Sequence, residues 1–158
     1  MIKRLLEAGR RFPDSIIACR AHGIRFSGDT LSSYSEWEKE VSPSYAGPVF
    51  PTSGGGTLYR KNLLCKDVTD KELFTGLCPY ADDVWWFFMA LMHGTRQILV
   101  SVDGALFFPL DFFFQHFHKG ASLYSANGHE NQNDTQIKAV MEHYGLEVKN
   151  RKIVKKDE

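Results

Sequence analysis

The sequence predicts an α/β fold, a mixed sheet flanked by helices, and three observations predict it. Short apolar runs at residues 15–19, 57–59 and 98–102 have the length of strands and are bounded by turn formers or charged residues. Apolar residues recur at near-helical spacing in residues 2–12, 84–92 and 137–144. Segments of both kinds are interspersed along the chain, which fits helices packed over a sheet.

Composition bounds the reading. A chain of 158 residues is long enough to bury a sizeable core, and one domain over 1–148 with a charged, frayed tail over 149–158 is expected. Hydrophobic residues at 43% and aromatics at 13% exclude general disorder. Lys plus Arg equals Asp plus Glu at 19 each, so charge gives no case for nucleic acid or anionic membranes, whereas a neutral partner such as a sugar fits. Cys19, Cys65 and Cys78 are odd in number and lack Cys-x-x-Cys spacing, which implies neither a disulfide framework nor a zinc knuckle and suits a reducing cytoplasm. Glu7 and Arg10-Arg11 interrupt the first apolar run, so it does not read as a signal peptide. The apolar stretches 84–92 and 105–114 are each about half of the roughly 20 residues a membrane helix needs, which leaves membrane contact at most peripheral.

In chain order, Ile2, Leu5, Leu6 and Phe12 predict an amphipathic helix closed by Pro13. Residues 15–19 form a short buried strand that continues to Arg20 and His22 at its carboxyl end, where α/β proteins place sites. Arg20 and His22 are thus ligand candidates, the alternative being a histidine hydrogen-bonded within a loop. Residues 27–53, rich in Ser, Gly and Pro yet carrying Tyr34, Trp37, Tyr45 and Phe50, predict a long loop; its aromatics either stack on a sugar, with Trp37 and Tyr45 as candidates, or pin the loop to the core. Gly54-Gly55-Gly56 permits positive φ and close approach of a ligand to the main chain, or is a plain turn. Tyr59 and Arg60 end the strand that follows, and Arg60 has the fork to hold a phosphate or carboxylate. Residues 62–64 read as a short turn. Thr69-Asp70-Lys71-Glu72 matches a capping box ahead of Leu73, Phe74 and Leu77.

Asp82-Asp83 then opens an apolar helix ended by Gly94. A carboxylate there lies beside unsatisfied N–H groups and the positive end of the helix dipole, which keeps it ionised and able to accept a proton; the plain alternative is an N-cap. Residues 98–102 and 105–108 predict a hairpin about Asp103-Gly104, followed by Phe112-Phe113-Phe114. His116 and His118 flank Phe117 at a spacing that puts both imidazoles on one strand face, a candidate metal pair. Beyond a polar loop, Asn133-Asp134 caps a helix with an Ile137, Val140, Met141, Tyr144 stripe, ended by Gly145.

The glycine turn, the strand ending in Tyr59-Arg60 and the acidic helix start, in that order, resemble the second half of a GT-A glycosyltransferase. A narrower resemblance, to bacterial glycosyltransferases of polysaccharide synthesis, covers nearly the whole chain through Ile16-Ile17-Ala18-Cys19-Arg20-Ala21-His22, Ala81-Asp82-Asp83-Val84-Trp85 and Asn133-Asp134-Thr135-Gln136-Ile137. It implies a partial GT-A-like, Rossmann-like fold whose N-terminal nucleotide-binding half, with its Asp-rich metal motif, is absent. It implies Asp83 as catalytic base, Asp82 as acceptor ligand, and an acceptor side lined by Gly54, Gly55, Gly56, Tyr59 and Arg60. It also implies a divalent metal, Mn or Mg, in the complete enzyme, for which His116, His118 or His129 would be the late histidine ligand.

The function expected is transfer, with inversion, of a sugar from a nucleotide sugar to a saccharide hydroxyl, completed by a donor-half chain or a dimer. A non-catalytic module that binds saccharide or protein is the alternative. Metal-dependent hydrolysis through His116, His118 and an Asp ranks third, because no compact His-Glu-x-x-His motif supports it.

Overall fold

The computed structural model describes residues 1–100 and 132–156. Over these residues the chain is mixed α/β, with four helices and several small sheets. Helix α1 (Ile2–Arg11) leads into β1 (Ser15–Ala18), which is buried throughout and lies between β6 (Thr57–Leu58), antiparallel, and β7 (Arg96–Leu99), parallel. Ile17 faces Leu58 on one side and Ile98 on the other. Burial on both faces is why residues 15–19 read as a continuous apolar run. Strand β7 begins two residues before the run at 98–102, and the expected hairpin, Phe112-Phe113-Phe114, His116, His118 and His129 lie outside the described residues.

The region read as a long loop is more ordered than its Ser, Gly and Pro content suggests. After the bend at Cys19-Arg20, β2 (Ala21–Gly23) pairs antiparallel with β5 (Val49–Pro51), setting His22 opposite Phe50. Between them lie a hairpin of β3 (Phe26–Ser27) and β4 (Thr30–Leu31) turning at Gly28, with φ +60°, and a single 3-10 turn at Tyr34–Glu36. Its aromatics join the core: Trp37 is 4% exposed and lies 5.4 Å from Phe50, which in turn lies 5.1 Å from Phe87. Such contacts hold a Pro- and Ser-rich segment that backbone propensity alone would leave loose.

Helix α2 (Lys71–Leu77) starts one residue later than the capping box implies. Asp70, rather than Thr69, is its cap and accepts the Leu73 N–H at 3.0 Å. Helix α3 (Asp82–Met92) buries Val84, Trp85, Phe87, Phe88, Met89 and Ala90 against β5, β7, the turn at 66–69 and α4 (Gln132–His143). Burial on several sides explains why its apolar residues run around the helix rather than along one stripe. Gly94 and Gly145 take φ of +76° and +60° just past α3 and α4, the left-handed conformation that ends helices.

The tail expected over 149–158 is instead largely a hairpin of β8 (Leu146–Lys149) and β9 (Lys152–Lys155). Asn150 and Arg151, at φ +52° and +57°, form its two-residue turn, whose backbone suits the twist of paired strands but burdens Arg151 with a left-handed conformation. Charged residues hid the strands because the hairpin buries only one face, with Leu146 and Val148 inward. Arg151→Gly is expected to stabilise the fold by about 0.5–1 kcal/mol, read as a Tm raised by roughly 2–4 °C, the strain relief exceeding the extra backbone entropy of glycine.

Candidate functional site

A cavity of about 640 Å³ opens where the bend after β1, strand β2, the glycine turn and the start of α3 meet, and Arg20, His22, Gly54, Asp82 and Asp83 all line it. Five residues singled out from sequence thus converge on one space, although they come from segments some sixty residues apart.

The glycine turn is shaped by its neighbours. Residues 53–55 make one 3-10 turn. A Cβ on Gly55 would stand 2.2 Å from the Cβ of Arg20, so only glycine lets the turn close on that side chain. Gly56 takes φ +90° and its carbonyl accepts the Cys19 N–H at 2.9 Å, tying the turn to the end of β1. Gly54 has open space above it and is the one of the three that faces the cavity.

Asp82 and Asp83 occupy the first turn of α3, with Ala81 as the N-cap residue, so neither is a plain cap. Asp82 is exposed at the cavity and has no partner among the described residues. Asp83 is partly buried and accepts the Ser53 N–H at 2.7 Å, bridging helix and glycine turn. Burial pushes its carboxyl above the usual range; the Ser53 hydrogen bonds and Arg20 oppose this, and the charge of Asp82 adds to it. Burial thus works against the ionised form that the helix start and the Ser53 N–H favour, and the net effect is a raised proton affinity. The same shift makes Asp83 a stronger proton acceptor when it is ionised.

His22 lies on a strand rather than in a loop. It is 6% exposed, and its Nδ1 accepts the Glu40 N–H at 3.1 Å, which leaves the ring proton on Nε2. Burial, then the charges of Lys39 and Arg20, push it down to about 4, so the ring is neutral near pH 7. Glu40 holds a left-handed backbone at φ +52° and pairs with Arg20 at 3.0 Å. Lys39 donates to the Tyr34 carbonyl at 2.8 Å and lies 4.1 Å from the Tyr34 ring centre. Thr52, also on the cavity wall, is buried, and its hydroxyl has no partner among the described residues.

The first turn of α4 frames this cavity. Asp134 accepts the Tyr34 N–H and the Ser33 hydroxyl, each at 2.7 Å. Gln136, 3% exposed, accepts both the Tyr80 and Ala81 N–H groups at 3.0 Å, immediately before Asp82. Asp134 was expected to cap its own helix. The helix begins earlier, at Gln132, and the carboxylate caps the 3-10 turn at Tyr34–Glu36 instead.

Other expected ligands are placed elsewhere. Arg60 donates to the carbonyls of Gly9 and Pro13, closing the carboxyl end of α1. Tyr59 stacks on Trp86 at 4.8 Å, and burial pushes its phenol up to about 12. Trp37 lies in the core, its indole N–H donating to the Ser32 carbonyl. Gly55 and Gly56 serve the backbone turn. Among the described residues no three His, Cys, Asp or Glu side chains are grouped to hold a metal ion, so the Mn or Mg that the resemblance implies has no ligand set there; His116 and His118 lie outside those residues. Also among the described residues, no helix is long and apolar enough to cross a membrane. Comparisons with protein-family models, with curated proteins and with solved structures find no match to this chain.

Two outcomes are expected. Gln136→Leu leaves the buried Ala81 N–H and the partly buried Tyr80 N–H unpaired and should destabilise the protein by about 1–3 kcal/mol in denaturant titration. Because the folded His22 titrates near 4 and an unfolded histidine near 6.5, the unfolded chain takes up the proton first as pH falls, and stability is lost across that window. The shift corresponds to at most about 3 kcal/mol, and thermal melts at stepped pH should show this loss reduced in His22→Asn, whose amide oxygen still accepts the Glu40 N–H.

Proposed function

We propose that the chain provides the acceptor side of a GT-A-type glycosyltransferase, with a saccharide hydroxyl seated in the cavity beside Asp83. The observation that carries this reading is the pairing of a carboxylate of raised proton affinity, Asp83, with an exposed carboxylate, Asp82, over a glycine turn in a cavity of saccharide size. In this reading Asp83 takes the proton of the acceptor hydroxyl. The oxygen's electron pair then forms the bond to the anomeric carbon of a nucleotide sugar, and the bond to the diphosphate breaks with its electrons leaving on the nucleoside diphosphate. Attack from the face opposite the leaving group inverts the anomeric centre. Asp82 accepts a second hydroxyl and orients the sugar, while the neutral His22 offers an Nε2–H donor.

Binding of the donor is assigned to a complementing chain or to residues outside those described. Three free cysteines suit a reducing cytoplasm, where such a donor would be met.

The test is a binding screen of the intact chain against neutral oligosaccharides and nucleotide sugars, followed by turnover of the bound pair in the presence of any complementing chain. Saccharide binding is expected, with turnover reduced by roughly 10²–10⁴ in Asp83→Asn. The wild-type rate should fall with pH as Asp83 protonates. At pH 7, Asp83→Asn should also melt at a higher temperature than the wild type, since it removes a buried charge. That advantage should shrink as pH drops through the raised carboxyl pKa, because the protonated wild type no longer carries the charge. Turnover unchanged in Asp83→Asn contradicts the assignment. Saccharide binding with no nucleotide-sugar binding or turnover favours a non-catalytic saccharide-binding module.

A further inference from the structure

The cavity's charges are unequally matched. Among the described residues its two cations, Arg20 and Lys39, face four carboxylates, those of Glu40, Asp82, Asp83 and Asp134. Lys39 is held by the carbonyl and ring of Tyr34, and Arg20 forms an ion pair through Nε, 3.0 Å from a Glu40 carboxylate oxygen but not aligned for a hydrogen bond. Asp134 is taken up by Ser33 and Tyr34. His22, with Nδ1 accepting a backbone N–H, adds no positive charge near pH 7. The carboxylate left without a protein partner among the described residues is Asp82, at the exposed edge of the cavity. A separate observation points to a polar ligand group at the cavity wall: Thr52 there is 6% exposed, and its buried hydroxyl, able both to donate and to accept, has no hydrogen-bond partner among the described residues.

We infer that the site selects its saccharide by charge, accepting a sugar without an anionic group and rejecting uronic acids and sugar phosphates, with Asp82 as the specificity-determining residue. The inference rests on the saccharide reading given above. An acidic edge serves it in two ways. Asp82 accepts hydrogen bonds from the hydroxyls of a neutral sugar in a short, charge-assisted geometry. It also repels a ligand carboxylate or phosphate, and two like charges about 6 Å apart near a protein surface weaken binding by about tenfold or more. Hydrogen bonding alone would give only a preference for hydroxyls; the unpaired charge turns it into discrimination between sugars of one shape.

Matched pairs test it: glucose with glucuronate, galactose with galacturonate, and N-acetylglucosamine with its 6-phosphate, each titrated calorimetrically into the intact chain at pH 7.5 in low salt and again in about 0.3 M salt. In every pair that binds, the neutral member is expected to bind about tenfold or more tightly. That gap should narrow at high salt, where exposed charges are screened. It should also narrow in both Asp82→Asn and Asp82→Ser, each of which keeps a residue suited to a helix start, with thermal melts confirming that they fold. Equal or tighter binding of the anionic member, or a gap unchanged in both Asp82 variants, overturns the inference and leaves the saccharide reading intact. No binding by any pair or by the oligosaccharides overturns both.

Discussion

The cavity depends on the first turn of α4. Asp134 and Gln136, two residues apart, reach in different directions: one holds the turn at 33–36, the other the segment that enters α3. Tyr34 and Tyr80 are 100 and 56 residues distant along the chain from their respective partners, so the two walls are joined through side chains rather than through a shared sheet. Backbone N–H groups entering a helix or turn must find acceptors. Here those acceptors come from one helix, and meeting a local hydrogen-bonding need therefore fixes a long-range geometry. The aromatic contacts from Tyr34 through Trp37, Phe50 and Phe87 to Phe88 run from this turn into the core and tie it to α3.

A second constraint acts within that frame. Asp83 is drawn toward ionisation by the helix start and the Ser53 amide and toward neutrality by burial, and burial prevails. The molecule thus keeps a partly desolvated carboxylate at the mouth of an apolar helix, a feature that adds nothing to stability near neutral pH. A carboxylate so placed is what the proposed transfer would use as its base. The glycines belong to the same arrangement: Gly55 yields room to Arg20 and Gly56 takes the positive φ, so that the Ser53 amide reaches the carboxylate.

Much of the frame was legible in the sequence, and the illegible parts share a cause. The strands β1, β6 and β7, the apolar helix α3, and the glycines past α3 and α4 all declare themselves by local pattern. So did Arg20, His22, Gly54, Asp82 and Asp83, which meet at the cavity. Lys39, Glu40 and Thr52 gave no signal, because what brings them to the cavity is the pairing of β2 with β5 and the left-handed backbone of Glu40, neither of which has a periodicity. Arg60 was misread for the opposite reason. Its guanidinium suits a phosphate, but the open carbonyls at the end of α1 lie nearer, and their hydrogen bonds take it. The terminal hairpin was hidden by its charges, since β8 and β9 bury one face only and the second residue of their turn, Arg151, is not one usually chosen for positive φ.

The measurement closest to the central claim is an NMR titration of the aspartate side-chain carboxyls, run with and without a saccharide that the chain binds. The account predicts that Asp83 titrates above the ordinary carboxylate range, and that the sugar shifts the side-chain resonances of both Asp82 and Asp83 while leaving those of Asp70, the cap of α2, unmoved. An Asp83 that titrates at or below the ordinary value, or a bound sugar that leaves both cavity carboxyls unperturbed, would contradict it.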